Sequence, residues 1–271
     1  MVHNEKKPFW RTSISKVEPD KILIRGYPIE DLIGRLTYGE MVYLMFMGEI
    51  PPKRIGGMID ALLVAGCEHS ITCPSAAAAR FVASGGVGLQ NAIASGVNAL
   101  GDHHGGAIEQ CMKMLYDAKR LMEEGHDVKE ASEMVVSGIL RRNERVPGFG
   151  HFAHRVDPRV ERLLSLGEKI GVSGTYVRLA RGVERALERF KGRRFPMNPD
   201  GVFAALFCEL GFDWRMGRAL FTLSRVLGIA AHSYEEMIRE KPFRETSISE
   251  ILYDGPEERG IPEELKKREI V

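Results

Sequence analysis

The sequence has 271 residues, a hydrophobic fraction of 44% and a net charge of +1, values that exclude a disordered chain and are typical of a globular protein. Basic and acidic residues are nearly balanced, at 38 and 37, so we expect no nucleic-acid partner. No apolar run is long enough to cross a membrane, no secretory signal is recognisable, and the four cysteines form no CxxC pair. We therefore expect a cytoplasmic enzyme with reduced thiols and no membrane association.

The predicted elements are almost all helical, because apolar residues recur at helical spacing between glycine and proline breaks. The helical stretches are 37–48, 54–66, 74–84, 88–98, 106–124, 128–142, 157–170, 174–190, 201–210 and 215–239. One strand pattern occurs, at 21–27, and we expect it to be too isolated to build a sheet. Residues 241–256 suggest an irregular arm, and the charged tail 257–269 suggests a solvated helix or a frayed end. The fold class predicted is mainly α, with nine or ten helices.

Three loops between predicted helices are rich in Gly, Pro, His and Arg, and such loops often carry binding groups. In the first, 101–107, two glycines follow His104 and open the next helix. Glycine lets the backbone approach a ligand, and the first N–H groups of a helix favour an anion. The alternative is that His104 only packs at a helix start.

The second loop, 146–159, contains a proline and two glycines before His151. Such a turn presents backbone groups to a flat heterocycle or a phosphate, and a histidine exchanges protons near neutral pH. Arg155 and Arg159 lie four residues apart, which directs two guanidinium groups toward a carboxylate or phosphate. The alternative is a surface loop in which Arg159 pairs with Asp157.

The third loop, 193–201, places Asp200 beside the apolar residues Phe195 and Met197. A carboxylate in such surroundings is a candidate general base. The alternative is that Asp200 only caps a helix that begins at Gly201.

Metal binding is the remaining chemistry that the histidines could serve. The pairs His103–His104 and His151–His154 supply imidazoles, but the sequence has no HExxH motif and no Cys/His quartet. We therefore expect no bound metal.

Taken together, the three loops resemble the three catalytic blocks of the citrate synthase superfamily, in the family's order. The blocks read His104-Gly-Gly-Ala, Val146-Pro-Gly-Phe-Gly-His151 and Pro196-Met-Asn-Pro-Asp200. The likeness runs from about Trp10 to Gly255 and includes RGYPIEDL, GEIPP, Glu68-His69 and Ser224-Arg225-x-Leu-Gly. It implies a citrate synthase-like multi-helix fold that lacks the N-terminal helical region of full-length citrate synthases. Residues 1–271 would form one unit, with a smaller helical subdomain around 110–215 and a C-terminal arm at 241–271.

The resemblance also implies roles for individual residues. His104 would hydrogen-bond the thioester carbonyl of acetyl-CoA as its enol forms, and His151 would act on an oxygen of the four-carbon partner. Asp200 would move the methyl proton, although the stretch before it is one residue longer than in the family.

Two further groups of residues match binding positions of the family. Those for substrate carboxylates are His69, Arg159, Arg225 and Arg244. Those for coenzyme A are Val146, Pro147, Gly148, Phe149, Gly150 and Arg155, with Arg193 or Arg194. In the family, the arginine that Arg244 resembles comes from a neighbouring subunit; local pairing with Glu240 or Glu245 is the alternative.

The activity that the resemblance implies is that of a citryl-CoA lyase, which cleaves citryl-CoA to acetyl-CoA and oxaloacetate. The short chain and the pair Asp200-Gly201 are closer to such lyases than to synthases. A short citrate or 2-methylcitrate synthase is the alternative enzyme, and a non-catalytic regulatory subunit that binds a CoA ester is the alternative from another class. We expect no tightly bound cofactor, small-molecule substrates, and a homodimer or higher homo-oligomer.

Overall fold

The computed structural model describes residues 9–150, 157–266 and 268, and helices dominate them. The α-helices are α1 (Ile29–Leu32), α2 (Tyr38–Met47), α3 (Lys53–Gly66), α4 (Pro74–Ser84), α5 (Leu89–Asn98), α6 (Ala107–Glu123), α7 (Val128–Arg141), α8 (Pro158–Lys169), α9 (Thr175–Lys191), α10 (Pro199–Glu209), α11 (Gly217–Arg239) and α12 (Glu263–Lys266). The ten predicted stretches correspond to α2 through α11, so the mainly α prediction is confirmed. The helix α1 is a single turn that the periodicity did not indicate, and α12 is a single turn within the charged tail, where a solvated helix or a frayed end was expected. None of the helices described is long and apolar enough to span a membrane.

The expectation of an isolated strand was wrong. Strand β2 (Lys21–Ile24) pairs antiparallel with β1 (Ser15–Glu18) on one side and with β3 (Tyr27–Pro28) on the other. Two tight turns make this possible, because Asp20 and Arg25 adopt left-handed backbone angles, with φ of 59° and 50°. In the turn between β2 and β3, Arg25 and Gly26 both have positive φ, 50° and 90°, which is the turn type that matches the twist of paired strands. Arginine is not a common residue in that conformation, so the sequence gives no strong signal for this turn.

The helix α10 lies in the centre of the hydrophobic core. Every residue from 201 to 208 is buried, and α6, α8 and α9 pack around this helix. A helix that is apolar on all sides is stable only when other elements surround it. The N-terminus of α10 therefore lies deep in the fold, and it carries the third predicted loop.

The start of α10 differs from the capping alternative. The helix begins at Pro199, and the N-cap is Asn198, whose Oδ1 accepts a hydrogen bond of 3.1 Å from the Gly201 N–H. Asp200 therefore lies in the first turn and does not cap the helix.

The C-terminal part is irregular, as predicted. No residue from 241 to 266 is buried, and the tail is helical only over Glu263–Lys266 among its described residues. The four cysteines are free thiols.

Candidate active site

All three predicted loops line one cleft of about 2090 Å³. The predicted residues found in its lining are His69, His104, Val146, Pro147, Gly148, Phe149, Gly150, Arg159, Arg193, Arg194, Asp200 and Arg225. His151 and Arg155 lie outside the described residues. Arg244 does not line the cleft of its own chain.

The second and third loops are joined by backbone hydrogen bonds. The Gly150 N–H donates to the Pro196 carbonyl at 2.8 Å, and the Asn198 N–H donates to the Gly148 carbonyl at 3.0 Å. The Asn198 side chain adds a bond of 2.7 Å from Nδ2 to the Gly150 carbonyl. Asn198 therefore caps α10 and holds the second loop with the same amide group.

Two glycines let the second loop lie directly on the start of α10. Gly148 has φ of 85°, and a Cβ there would lie 2.7 Å from the Cys111 Sγ. A Cβ on Gly201 would collide with the Gly148 carbonyl oxygen. Only glycine at both positions permits this contact, which brings the loop against the turn that carries Asp200.

Asp200 has the properties of a general base that works near neutral pH. Burial raises the pKa of its carboxyl group to about 6. The positive charges of Arg159 and Arg225 lower this pKa, and the negative charge of Asp157 raises it, but burial has the largest effect. A carboxylate with a pKa in this range can both take and return a proton at physiological pH.

His104 lies half-buried at the opening of α6, and its Nε2 is 2.8 Å from the Ser75 Oγ. Its ring meets the Phe221 ring edge to face, with centroids 6.2 Å apart. Burial, followed by the nearby charge of Arg225, lowers the pKa of His104 and so favours the neutral imidazole, which has one N–H to donate. Ser75 has no motif of its own, and sequence reasoning missed it.

Arg225 is the buried cation of the cleft. Its Nε donates to the Gly66 carbonyl at 3.0 Å, and its guanidinium lies 5.2 Å from the Phe221 ring centre. Among the described residues, its Nη1 is a buried nitrogen without a hydrogen-bond partner. Leaving such a donor unsatisfied costs about 1–3 kcal/mol, so this position favours a ligand that brings an acceptor.

Arg159 pairs with Asp157, which was the alternative interpretation of the second loop. It also lines the cleft. Its Nε and Nη2 donate to the two carboxylate oxygens of Asp157 at 2.9 and 2.7 Å. Asp157 is buried, so the pair fixes the direction of the guanidinium.

Arg193 and Arg194 are part of a basic rim in the lining of the cleft. Arg193 stacks on Phe195 at 4.5 Å, and Arg194 lies 3.9 Å from Glu184. Five more basic residues line the cleft that sequence reasoning did not select: Lys113, Arg142, Arg145, Arg181 and Lys191. They lie on α6, on α9 and in the loop after α7, so no single local motif marks them.

Arg244 binds Glu236 of its own chain. Its Nε and Nη2 donate to the carboxylate oxygens of Glu236 at 2.9 and 2.7 Å. The local partner is therefore Glu236, and not Glu240 or Glu245 as the alternative from the sequence had it. Glu236 is buried on α11 and also binds Arg80.

In the part of the chain described, no three His, Cys, Asp or Glu side chains converge as a metal site would require.

The family model described as "Citrate synthase, C-terminal domain" matches residues 52–246. The chain belongs to the citrate synthase family. The match contains most of the cleft, and it confirms the resemblance drawn from the three loops.

Curated relatives of this citrate synthase family member are citrate synthases. The citrate/2-methylcitrate synthase of Bacillus subtilis is 31% identical over 82% of this chain and 57% of its own length. The glyoxysomal citrate synthase of Cucurbita maxima is 29% identical over 78% of this chain and 42% of its own. The chain thus spans about half the length of these relatives.

Among solved structures, the citryl-CoA lyase of Hydrogenobacter thermophilus matches with a TM-score of 0.88. It is 38% identical, over 96% of this chain and 100% of that one. The ATP citrate lyase of Methanothrix soehngenii, in complex with citrate and coenzyme A, has a TM-score of 0.78 at 22% identity. It covers 94% of this chain and 43% of that one, and at this identity the match shows the fold alone.

Proposed function

We propose that this member of the citrate synthase family is a citryl-CoA lyase, which cleaves citryl-CoA to acetyl-CoA and oxaloacetate. The observation that carries this proposal is the convergence of Asp200, with its pKa of about 6, and the unpartnered Nη1 of Arg225 in one cleft. The first group can move a proton at carbon, and the second can bind a substrate carboxylate. The match to a citryl-CoA lyase over 96% of this chain and 100% of that one supports the lyase over the synthase.

The carboxylates of the citryl group would bind the guanidinium groups of Arg159 and Arg225 together with His69. Two arginines with fixed directions orient the substrate as well as neutralise it. Arg159 is held by Asp157 and Arg225 by the Gly66 carbonyl, so neither needs to reorganise extensively when the substrate binds.

The bond cleavage would use three groups. His151 removes the proton from the hydroxyl of the citryl group, the carbon–carbon bond breaks, and the hydroxyl oxygen becomes the keto oxygen of oxaloacetate. The electron pair moves to the thioester as an enolate, whose oxygen His104 stabilises by a hydrogen bond. Asp200 in its acid form then delivers a proton to the enolate carbon and leaves acetyl-CoA. One proton enters and one leaves, so no water or further reactant is consumed.

Coenzyme A would lie along the second loop and the basic rim. Backbone groups of 146–150 would face the adenine, and Arg155, Arg193 and Arg194 would serve its phosphates. The stacking of Arg193 on Phe195 supports this placement, because it fixes a cation in the lining of the cleft.

We also propose a homodimer or larger homo-oligomer. The helix α11 exposes Leu227, Tyr234 and Ile238, which share one face at helical spacing. Apolar faces of this kind are normally covered by a partner, and a second copy would be that partner.

The free thiols fit the reducing environment of the cytoplasm, where we place the reaction.

A short citrate or 2-methylcitrate synthase is the second candidate, because the curated relatives carry these names. That activity requires the same proton transfers in reverse and then hydrolysis of the citryl thioester. A non-catalytic regulatory subunit would have no use for a carboxyl group tuned as Asp200 is.

The test is product identification with the purified protein. Citryl-CoA is supplied in one reaction and acetyl-CoA with oxaloacetate in another, with mass spectrometry for the acyl-CoA species and a thiol reagent for free coenzyme A. A lyase converts citryl-CoA to acetyl-CoA and oxaloacetate and releases no free thiol. Formation of citrate with free coenzyme A identifies a synthase instead. Binding without turnover in either reaction supports the regulatory subunit, and Asp200→Asn is the control for contaminating activity.

A further inference from the structure

The turn that carries His69 connects α3 to α4 and forms part of the cleft wall. His69 and Cys73 line the cleft, and the His69 carbonyl accepts from the Thr72 hydroxyl at 3.2 Å. Ser70 has a left-handed backbone, with φ of 67°. A non-glycine residue in this conformation is strained, so neighbouring contacts must hold the turn in place.

Glu68 supplies those contacts through one carboxylate oxygen. Its Oε1 accepts the backbone N–H of His69 at 2.8 Å and also that of Ser70. The same oxygen lies 3.1 Å from Nε2 of His232, a residue of α11 that is distant in sequence. Burial alone would raise the pKa of Glu68, but the His232 contact and the two backbone amides outweigh it and lower that pKa. The carboxylate is thus ionised and able to hold three donors.

His232 is itself directed by Arg80. The Arg80 Nη1 lies 3.5 Å from Nδ1 of His232, and a guanidinium can only donate. The tautomer that fits has its lone pair on Nδ1 and its hydrogen on Nε2, pointing at Glu68. Arg80 is fixed in turn by a bond of 2.6 Å from its Nε to the buried Glu236.

The backbone of α11 makes room for this arrangement at Gly228. A Cβ at this position would collide with the Cys67 carbonyl oxygen and with Oε2 of Glu68. The turn is therefore pressed against the helix, one helical turn before His232, and Glu68 is held between them.

We propose that Glu68 and His232 are positioning residues that aim the His69 imidazole at a carboxylate of the four-carbon substrate. The proposal deepens the function proposed above and rests on it for the identity of the ligand. Neither residue lines the cleft, so both act through the backbone of the turn. Loss of either one frees the strained turn, and the imidazole then samples directions in which it cannot meet the carboxylate.

The experiment compares four variants of the full chain. Glu68→Ala removes the acceptor, and His232→Phe keeps the ring volume but removes the donor. His232→Gln offers an amide N–H in place of the ring N–H. Asp213→Ala is the matched control, because the Asp213 and Glu68 side chains are similarly exposed, at 36% and 39%, and Asp213 accepts the backbone N–H and the guanidinium of Arg215 instead of contacting the turn or Arg80.

Calorimetry measures the Kd of each variant for oxaloacetate and, separately, for coenzyme A. We expect Glu68→Ala and His232→Phe to weaken oxaloacetate binding roughly tenfold, as a misdirected binding group does, and to change the Kd of coenzyme A less than about twofold. His232→Gln should retain most of the affinity, and Asp213→Ala all of it. The double variant of Glu68→Ala and His232→Phe should be no weaker than Glu68→Ala, because both act through one carboxylate.

A second measurement does not depend on any substrate. The imidazole NMR signals of His69, assigned by their loss in His69→Ala, should shift in Glu68→Ala and His232→Phe and stay in place in Asp213→Ala. Unchanged His69 signals together with unchanged oxaloacetate binding would overturn the proposal. Equal losses of coenzyme A affinity and of Tm in every variant, His232→Gln included, would also overturn it, because they mark a purely structural role. If the wild-type protein binds neither oxaloacetate nor citrate, the proposed function fails, and the His69 signals alone decide the positioning.

Discussion

Asp200 sits in the first turn of α10, where burial opposes its ionisation and two arginines favour it. The result is a pKa of about 6, so the carboxylate form grows as the pH rises through 6. Exchange of the acetyl-CoA methyl hydrogens with deuterium requires the carboxylate as base. We expect the exchange rate to rise with pH around a midpoint near 6 and to be roughly tenfold lower at pH 5 than on the plateau.

This exchange is followed by mass spectrometry of acetyl-CoA in deuterated buffer, with succinate present to occupy the dicarboxylate site. Asp200→Asn should show no exchange at any pH while its helix content is retained. A rate that is independent of pH between 5 and 8, or an active Asp200→Asn protein, would remove Asp200 from the proposed mechanism.

Arg225 is poised for an anion because its Nη1 has no hydrogen-bond partner among the described residues. Arg225→Lys keeps the charge but loses the second terminal nitrogen and the planar geometry. A hydrogen bond to a charged group contributes about 1.5–3 kcal/mol, so we expect citrate affinity to fall roughly 10–100-fold in calorimetry.

The matched control is Arg239→Lys, on the same helix but exposed and bound to Glu235. It should leave citrate affinity unchanged. If both substitutions have equal effects, Arg225 does not contact the ligand.

At the scale of elements, the contact between the second loop and α10 depends on Gly201. In Gly201→Ala the new methyl group would collide with the Gly148 carbonyl and would lie 2.8 Å from Cγ of Met197. Overpacking of this kind costs about 1–3 kcal/mol, and it separates the loop from Asp200. We expect a lower Tm and a loss of turnover larger than the loss of stability explains.

Gly57→Ala is the control for this substitution. Gly57 lies in α3, and a Cβ added there would have no heavy atom within 4 Å, so alanine should raise stability by about 0.5–1 kcal/mol through helix propensity. Denaturation curves and turnover of both variants provide the comparison. Full activity in Gly201→Ala would show that the loop does not need its close approach to α10.

At the scale of the whole molecule, the arm that begins at Lys241 has no buried residue among those described. In the single chain Arg244 pairs with Glu236; in a dimer we expect it to reach a substrate carboxylate in the neighbouring subunit. A dimer would then contain two composite sites. Mixing inactive Arg244→Ala protein with inactive Asp200→Asn protein should restore part of the activity, because a mixed dimer has one site free of both defects.

Subunit exchange in this experiment is verified by native mass spectrometry. If exchange occurs and no activity returns, Arg244 acts in its own chain, as its pairing with Glu236 would allow.

The expected division of the chain into a large helical core and a smaller subdomain around 110–215 stays a prediction.

The amino-acid sequence by itself determined the ten main helices, because apolar periodicity is a local property that survives without any tertiary contact. It also determined the three loops, since His104, the glycines of 146–150 and Asp200 are readable as residue types in a family order. It failed at the small sheet, where Arg25 adopts a left-handed backbone that arginine seldom adopts and that no local pattern signals.

Only the tertiary structure decided how these residues are tuned. Ser75 meets His104 from 29 residues away, and His232 meets Glu68 from 164 residues away. The pKa of Asp200 depends on its burial at the start of α10 and on arginines from α8 and α11. Packing between distant segments sets the hydrogen-bond partners, the burial and the electrostatic field at a site. A short window of sequence cannot contain both residues of a pair such as His232 and Glu68.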